Sequence, residues 1–203
     1  MKVLFQSTVP LKWLSAITKS FIFVAAMTML FGVLYPATVT GVSLLFPSLR
    51  SGSLVAKDGR ITASELIGQD WWALDLFAGR LSATEPPYNA AASRATNLAP
   101  GDPRFKARLR EAIAAWQART GEKTLPPPDL ITMSASGLDP HISEAAALWQ
   151  APFVARSTGL SEAELRAIID ETVEVGLFSG RRFVNVVKLN YRVAALRRKP
   201  AEN

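Results

Sequence analysis

The chain has 203 residues, with 23 Lys and Arg against 17 Asp and Glu, a formal net charge of +6, no cysteine and one histidine. Without cysteine there is no disulfide framework, thiolate nucleophile, zinc ribbon or iron–sulfur cluster, and one histidine excludes a multi-histidine metal centre. A mean hydropathy of +0.15 is high for a freely soluble protein and places part of the chain in lipid.

The apolar excess lies near the N-terminus. Residues 20–49 carry no charge, and the densest part runs from Phe21 to Tyr35, where Pro36 follows. A helix from Trp13 to Tyr35 would be roughly 34 Å long at about 1.5 Å per residue, enough to cross a hydrocarbon core. Trp13 and Tyr35 bracket it as interfacial aromatics, and Lys19 must snorkel toward the headgroups. A cleaved signal peptide competes with this reading, since Val39-Thr40-Gly41 is a passable cut site, but the apolar core is long for one. A buried core helix competes less well, because such segments are shorter. Lys2, Lys12 and Lys19 stand ahead of the uncharged stretch without any acid, which favours the N-terminus inside the cell. The expected organisation is a cytoplasmic segment 1–12, a transmembrane helix 13–35 closed by Pro36, and an extracytoplasmic domain 36–203.

Turn signals then divide a mixed domain. Ser53 to Ala56 reads as a short strand that turns at Lys57-Asp58-Gly59. Asp102-Pro103 has the form of an N-cap with proline at the first helical position, and Phe105, Leu109, Ala112, Ile113 and Trp116 recur at helical spacing up to a stop near Gly121. A second helix begins at Ser143, with Ala146, Ala147 and Gln150 on successive turns. A third is signed by the capping box Ser161-Glu162-Ala163-Glu164 and a staple of Leu160 with Leu165. Its inward stripe is Leu165, Ile168, Ile169, Thr172 and Val173, with Gly176 as its stop. The β-branched run Arg182 to Leu189 reads as a strand, and Asn190 to Arg198 as a return to helix. The fold class is α+β: a single N-terminal transmembrane helix followed by one mixed α/β extracytoplasmic domain.

Motifs for chemistry fail one after another. Gly121-Glu122-Lys123-Thr124 imitates the end of a P-loop but lacks the adjacent Gly-Lys pair and the upstream glycine. Ser136, Asp139 and His141 stand within six positions and tempt a serine-hydrolase reading. A triad needs the acid behind the ring and the serine in front of it, and residues this close in a turn do not readily supply both. The same segment reads better as a turn: Gly137 takes a positive φ, Asp139-Pro140 stiffens it, Ser143 caps the next helix, and His141 is a local hydrogen-bonding or interface residue. The cations are scattered along helices without an aromatic-interleaved motif, so the basic balance reads as solvated faces rather than a nucleic-acid site.

In order, these segments resemble the C subunit of the Kdp-type potassium-transporting P-type ATPase, the KdpC family. The most specific stretch is Ser134-Ala-Ser136-Gly137-Leu138-Asp139-Pro140-His141-Ile-Ser143. Supporting matches are Tyr35-Pro36, Leu66-Ile67-Gly68-Gln69, Arg80-x-Ser82-Ala83, Tyr88-Asn89, Ser93 with Asn97-Leu98, Gln150 with Arg156, and Val184-Asn185-Val186. The chain departs from the family pattern at Leu81, where proline is usual, and at Arg94-Ala95, where two glycines are usual; the latter change stiffens the loop. The resemblance implies a non-catalytic subunit that stabilises assembly of a high-affinity potassium uptake complex, beside a channel-like A subunit, an ATPase B subunit and a small F subunit. It implies no cofactor held by this chain, potassium as the transported ion, and a catalytic-chaperone effect on ATP affinity through the ATPase subunit. The motif and interface candidates it singles out are Ser134, Ser136, Gly137, Leu138, Asp139, Pro140, His141, Gln69, Arg80, Ser82, Asn89, Asn97, Gln150, Arg156 and Asn185. Ala25, Ala26 and Gly32 are small residues where a partner helix would approach the span. A membrane-anchored periplasmic serine hydrolase and a binding module for another envelope protein are the alternatives.

Overall fold

The computed structural model describes residues 11–57 and 59–197. The turn at Asp58, the start of the segment 1–12 and the chain from Arg198 lie outside the described residues. The chain divides into two units, Met1–Ser51 and Gly52–Asn203.

The first unit is helical. α1 (Leu11–Met29) passes through a π-helical segment (Leu30–Leu34) into α2 (Tyr35–Ser43), followed by the short α3 (Pro47–Arg50). From Trp13 to Ser43 this helix is long and apolar enough to cross a membrane, and none of its most apolar stretch is buried by the rest of the chain. It does not end at Pro36 as the sequence suggested. Proline lacks an N–H and cannot join the i→i−4 ladder, but it is tolerated in the first turn of a helical segment. The π segment supplies that break: the Tyr35 N–H donates to the Leu30 carbonyl, five residues back, and Pro36 enters α2 in its first turn. Thr18 and Thr38 donate their hydroxyls to the carbonyls of Leu14 and Leu34, so neither is left unpaired in an apolar segment.

The second unit is α+β. A hairpin of β1 (Leu54–Lys57) and β2 (Arg60–Ser64) precedes a three-stranded antiparallel sheet in the order β3-β5-β4, formed by His141–Ser143, Arg182–Asn185 and Val173–Val175. β5 pairs Asn185 with His141 on one side and Val184 with Val173 on the other. Around it stand α4 (Pro103–Thr120), α5 (Pro128–Ile131), α6 (Glu144–Thr158), α7 (Glu162–Thr172) and α8 (Val186–Leu196). The core is built from Phe77, Trp116, Leu130, Ile142, Val154, Leu165, Ile169, Val184 and Leu189, all essentially fully buried. Trp116 stacks edge-on between Trp72 and Trp149, and Arg119, its side chain largely covered, lays its guanidinium 4.0 Å from the Trp72 ring centroid. That cation–π contact partly replaces the water Arg119 has lost.

The helix caps form at the residues whose chemistry signals them. Asp102 accepts from the Arg104 N–H, Gly121 ends α4 in the left-handed region at φ +76°, and Ser143 accepts from the Ala146 N–H. The Ser161–Glu164 box is reciprocal. Two elements differ from expectation. α7 stops at Thr172 rather than Gly176, because Val173 turns to extended backbone and pairs with Val184. The run read as a strand to Leu189 leaves the sheet at Asn185, and α8 starts at Val186 rather than Asn190. The Asn185 side-chain oxygen accepts from the Val187 and Lys188 N–H groups, and Val186, Val187, Leu189, Asn190 and Val193 then bury one helical face. A cap plus an amphipathic face outweighs the β-preference of two valines.

Candidate functional site

The polar centre of the domain is the turn from Ser134 to Ser143, clasped by residues 68 and 80–94. Gly137 takes φ +71° as the sequence required, and its N–H donates to the buried Ser134 hydroxyl at 3.1 Å. A Cβ at this position would lie 2.8 Å from Thr84 Cγ2 and 2.9 Å from the Arg94 carbonyl, so glycine is needed for space as well as angle. Ser82 is the clasp: its hydroxyl donates to the Gly137 carbonyl at 2.7 Å and accepts from the Tyr88 N–H at 3.0 Å. The Ser134 N–H donates to the Leu81 carbonyl, and the Leu138 carbonyl accepts from the Gly68 N–H. Ser93 and the backbone of Arg94 both donate to the Ser136 carbonyl. The Arg94-Ala95 departure is accommodated without positive φ at either residue; Asn97 takes the left-handed conformation instead, at φ +52°.

Asp139 is the charged member. Its Oδ1 accepts from the His141 N–H at 3.0 Å and lies 3.6 Å from His141 Nδ1, while Oδ2 faces Arg80 Nη1 at 3.3 Å. Burial alone would raise the Asp139 carboxyl, but hydrogen bonds from the His141 ring and backbone, with Arg80, outweigh it and hold the group below the usual carboxylate range. Arg80 also donates to the Met133 carbonyl at 3.1 Å. Tyr88 lies behind, donating its hydroxyl to the Arg80 carbonyl at 2.7 Å. Burial, then the negative charges of Asp70 and Asp139, push its phenol well above the ordinary tyrosine range, so it stays a neutral donor. His141 packs edge-on against Phe183 with centroids 5.1 Å apart, and its Nε2 lies 3.4 Å from the Asn185 amide. Asn185 in turn donates to the Glu65 carbonyl at 2.7 Å, and Pro140 accepts from the Val186 N–H.

The structure thus brings together Ser134, Ser136, Gly137, Leu138, Asp139, Pro140, His141, Arg80, Ser82 and Asn185. Gln69 and Asn89 flank this centre, donating to the carbonyls of Thr62 and Glu85. Asn97 stands apart beside a groove of about 510 Å³ lined by Leu98, Phe105, Leu109 and Met133. Gln150 sits in the core on the backbone of Ala78, and Arg156 donates to the Thr120 carbonyl at the end of α4. Gly68 and Tyr88 were visible only as letters in matching motifs, yet a Cβ on Gly68 would fall 2.8 Å from the Asp139 carbonyl and 2.9 Å from the Tyr88 ring. Thr84, which accepts from the Asn89 N–H, had no signal in the sequence at all.

The serine-hydrolase reading finds no support in this geometry. The Ser136 hydroxyl is engaged with the Ser134 hydroxyl at 3.1 Å and the Leu138 N–H at 3.1 Å, and no hydrogen bond links it to His141. The imidazole instead faces Asp139, Asn185 and Phe183. Among the described residues no group of three or more His, Asp or Glu side chains converges on a metal position. Beside the turn lies a recess of about 360 Å³ bordered by Arg80, Asp129, Asp139, His141 and Arg181 together with the apolar Ile142 and Phe183.

Among the described residues one helix is long and apolar enough to cross a membrane, and it precedes an α+β domain knit around a Ser-x-Ser-Gly-Leu-Asp-Pro-His turn. The profile of the KdpC family, described as "K+-transporting ATPase, c chain", matches residues 17–195, and the chain belongs to that family. Proteins named potassium-transporting ATPase KdpC subunit are similar along most of its length. That of Methylibium petroleiphilum is 47% identical over 176 residues, covering 84% of this chain and 92% of the relative. That of Polaromonas naphthalenivorans is 45% identical over 177 residues, covering 84% and 90%, and that of Methylorubrum populi is 39% identical over 201 residues, covering 92% and 100%.

Proposed function

We propose that the chain works as a non-catalytic accessory subunit of a potassium-transporting ATPase, anchored by its apolar helix with residues 1–12 in the cytoplasm and the domain from residue 36 outside. The observation that carries the reading is membership of the KdpC family across residues 17–195. The lysines ahead of the span support the orientation. The partners in this reading are the channel-like A subunit, the ATPase B subunit, the small F subunit and membrane lipid.

The role follows from what the site is built to do. The Asp139 turn spends its polar groups on its own backbone and neighbours, so its outward half, with Arg80 and His141, is a fixed surface. A preorganised surface loses little conformational entropy on docking, which suits a domain that stabilises an assembly. Along the span, Ala25, Ala26 and Gly32 let a partner helix come close. Potassium is the ion that the complex moves. An outside domain does not meet cytoplasmic nucleotide, so any effect on ATP affinity runs through the ATPase subunit.

Deletion of the coding sequence tests this. The expected result is failure to grow at micromolar potassium and loss of the assembled pump from purified membranes. Normal growth with an intact pump lacking this chain would overturn it.

A further inference from the structure

The loop between β4 and β5 exposes its two apolar side chains. Phe178 is 98% and Leu177 88% solvent-accessible, with Val175 beside them at 61%. The loop is not slack. The Gly176 N–H donates to the Arg181 carbonyl and the Gly180 N–H to the Gly176 carbonyl, both at 2.9 Å, and Gly180 takes φ +62° to close the turn. Two apolar side chains are therefore held outward on a hydrogen-bonded support, a cost in water that a domain carries when something covers them.

Charge indicates what covers them. No acidic residue occurs between Val175 and Arg197. Arg182, at the base of the tip, is held by Glu144, whereas Arg181, in the same loop as the apolar pair, is exposed. An apolar tip with a cation at its shoulder matches the boundary of a bilayer, where rings enter the acyl region and arginine meets anionic headgroups.

We propose that the Leu177-Phe178 tip inserts into the headgroup region of the membrane that carries the chain's own helix, with Arg181 on anionic lipid, as a second attachment point for the domain. The inference is independent of the partner subunits and of which side of the membrane the domain occupies.

The absence of cysteine makes the test clean. Phe178→Cys and, separately, Leu177→Cys in the full chain are labelled with an environment-sensitive dye and reconstituted in nanodiscs of phosphatidylethanolamine with phosphatidylglycerol; Lys106→Cys on α4 is the reference. Acyl-chain spin labels should quench both tip positions on the order of threefold more than the reference, and Arg181→Glu should lower that quenching in anionic but not in zwitterionic discs. A dye at both tip positions that is open to aqueous iodide and untouched by the lipid quencher overturns the proposal. So does a dye shielded from iodide yet unquenched by lipid, which assigns the tip to a protein contact.

Discussion

Gln150 grips both backbone groups of Ala78. Its side-chain oxygen accepts from the Ala78 N–H at 2.8 Å and its amide donates to the Ala78 carbonyl at 3.1 Å, with Gln150 wholly buried. Asn190 does the same for Phe77, at 3.0 and 2.8 Å. Two helices thus hold a strandless segment as a neighbouring β-strand would, and that segment leads directly into Arg80 and Ser82 of the polar turn.

Gln150→Leu keeps the volume and removes the grip, leaving a buried donor and acceptor unpaired. The cost should be about 2–6 kcal/mol, since each of the two stranded groups costs about 1–3 kcal/mol. Urea unfolding of the full chain in detergent, followed by tryptophan fluorescence, measures it. Lys123→Ala should stay within about 0.5 kcal/mol under the same conditions.

Glycine positions separate space from angle. Gly121 and Gly137 both have positive φ, but a Cβ on Gly121 meets nothing within 4 Å, whereas one on Gly137 strikes Thr84 and Arg94. Gly121→Ala should cost about 1 kcal/mol from backbone strain alone. Gly137→Ala should cost at least about 2 kcal/mol more, as overpacking adds to strain. Gly68→Ala, where φ is ordinary, should also destabilise by about 1–3 kcal/mol through collision with the Asp139 carbonyl and Tyr88. Equal losses at 121 and 137 in thermal unfolding would contradict the packing argument.

Elements signed by local chemistry were legible in the sequence. Asp102-Pro103, Ser143 and the Ser161–Glu164 box each act within three residues of themselves, so their helices could be placed without knowing the fold. The Gly137 turn was legible for the same reason. What a residue does across the fold was not. Val173 leaves α7 because Val184 is there to pair with it, and that partner is set by the sheet. Gln150 and Asn190 read as ordinary helical amides, because nothing near them announces Ala78 or Phe77. Likewise Ser82 and Tyr88 were motif letters until the fold laid them on the Gly137 carbonyl and the Asp139 turn.

Asn185 marks the switch from β5 to α8, and the switch can be tested. Asn185→Ala removes the cap on the Val187 and Lys188 N–H groups and the 2.7 Å bond to the Glu65 carbonyl. Loss of a cap costs about 1 kcal/mol and the buried bond about another 1 kcal/mol, so about 2 kcal/mol is expected. Asn185→Asp should restore the cap but not the bond to Glu65, since a carboxylate cannot donate, and should recover about half of the loss. Hydrogen exchange at Val187 and Lys188 should quicken in the alanine variant and slow again in the aspartate variant.

The polar turn should limit stability at both ends of the pH scale. The folded carboxyl of Asp139 titrates below its unfolded value of about 3.9, so the unfolded chain binds more protons between the two values. That contribution is therefore complete above about pH 4 and disappears as pH falls through the folded value. Tyr88 has the opposite sign. Its folded phenol titrates above its unfolded value of about 10, so its contribution is complete below about pH 10 and declines as pH rises further. Asp139→Asn should be less stable than the parent at pH 7 and flatten the acid limb of the melting-temperature profile. Tyr88→Phe, which also loses the bond to the Arg80 carbonyl, should be less stable by about 1 kcal/mol at pH 7 and flatten the alkaline limb while leaving the acid limb in place. An acid limb that moved with Tyr88→Phe, or stayed unchanged in Asp139→Asn, would show that other groups govern the pH response of this domain.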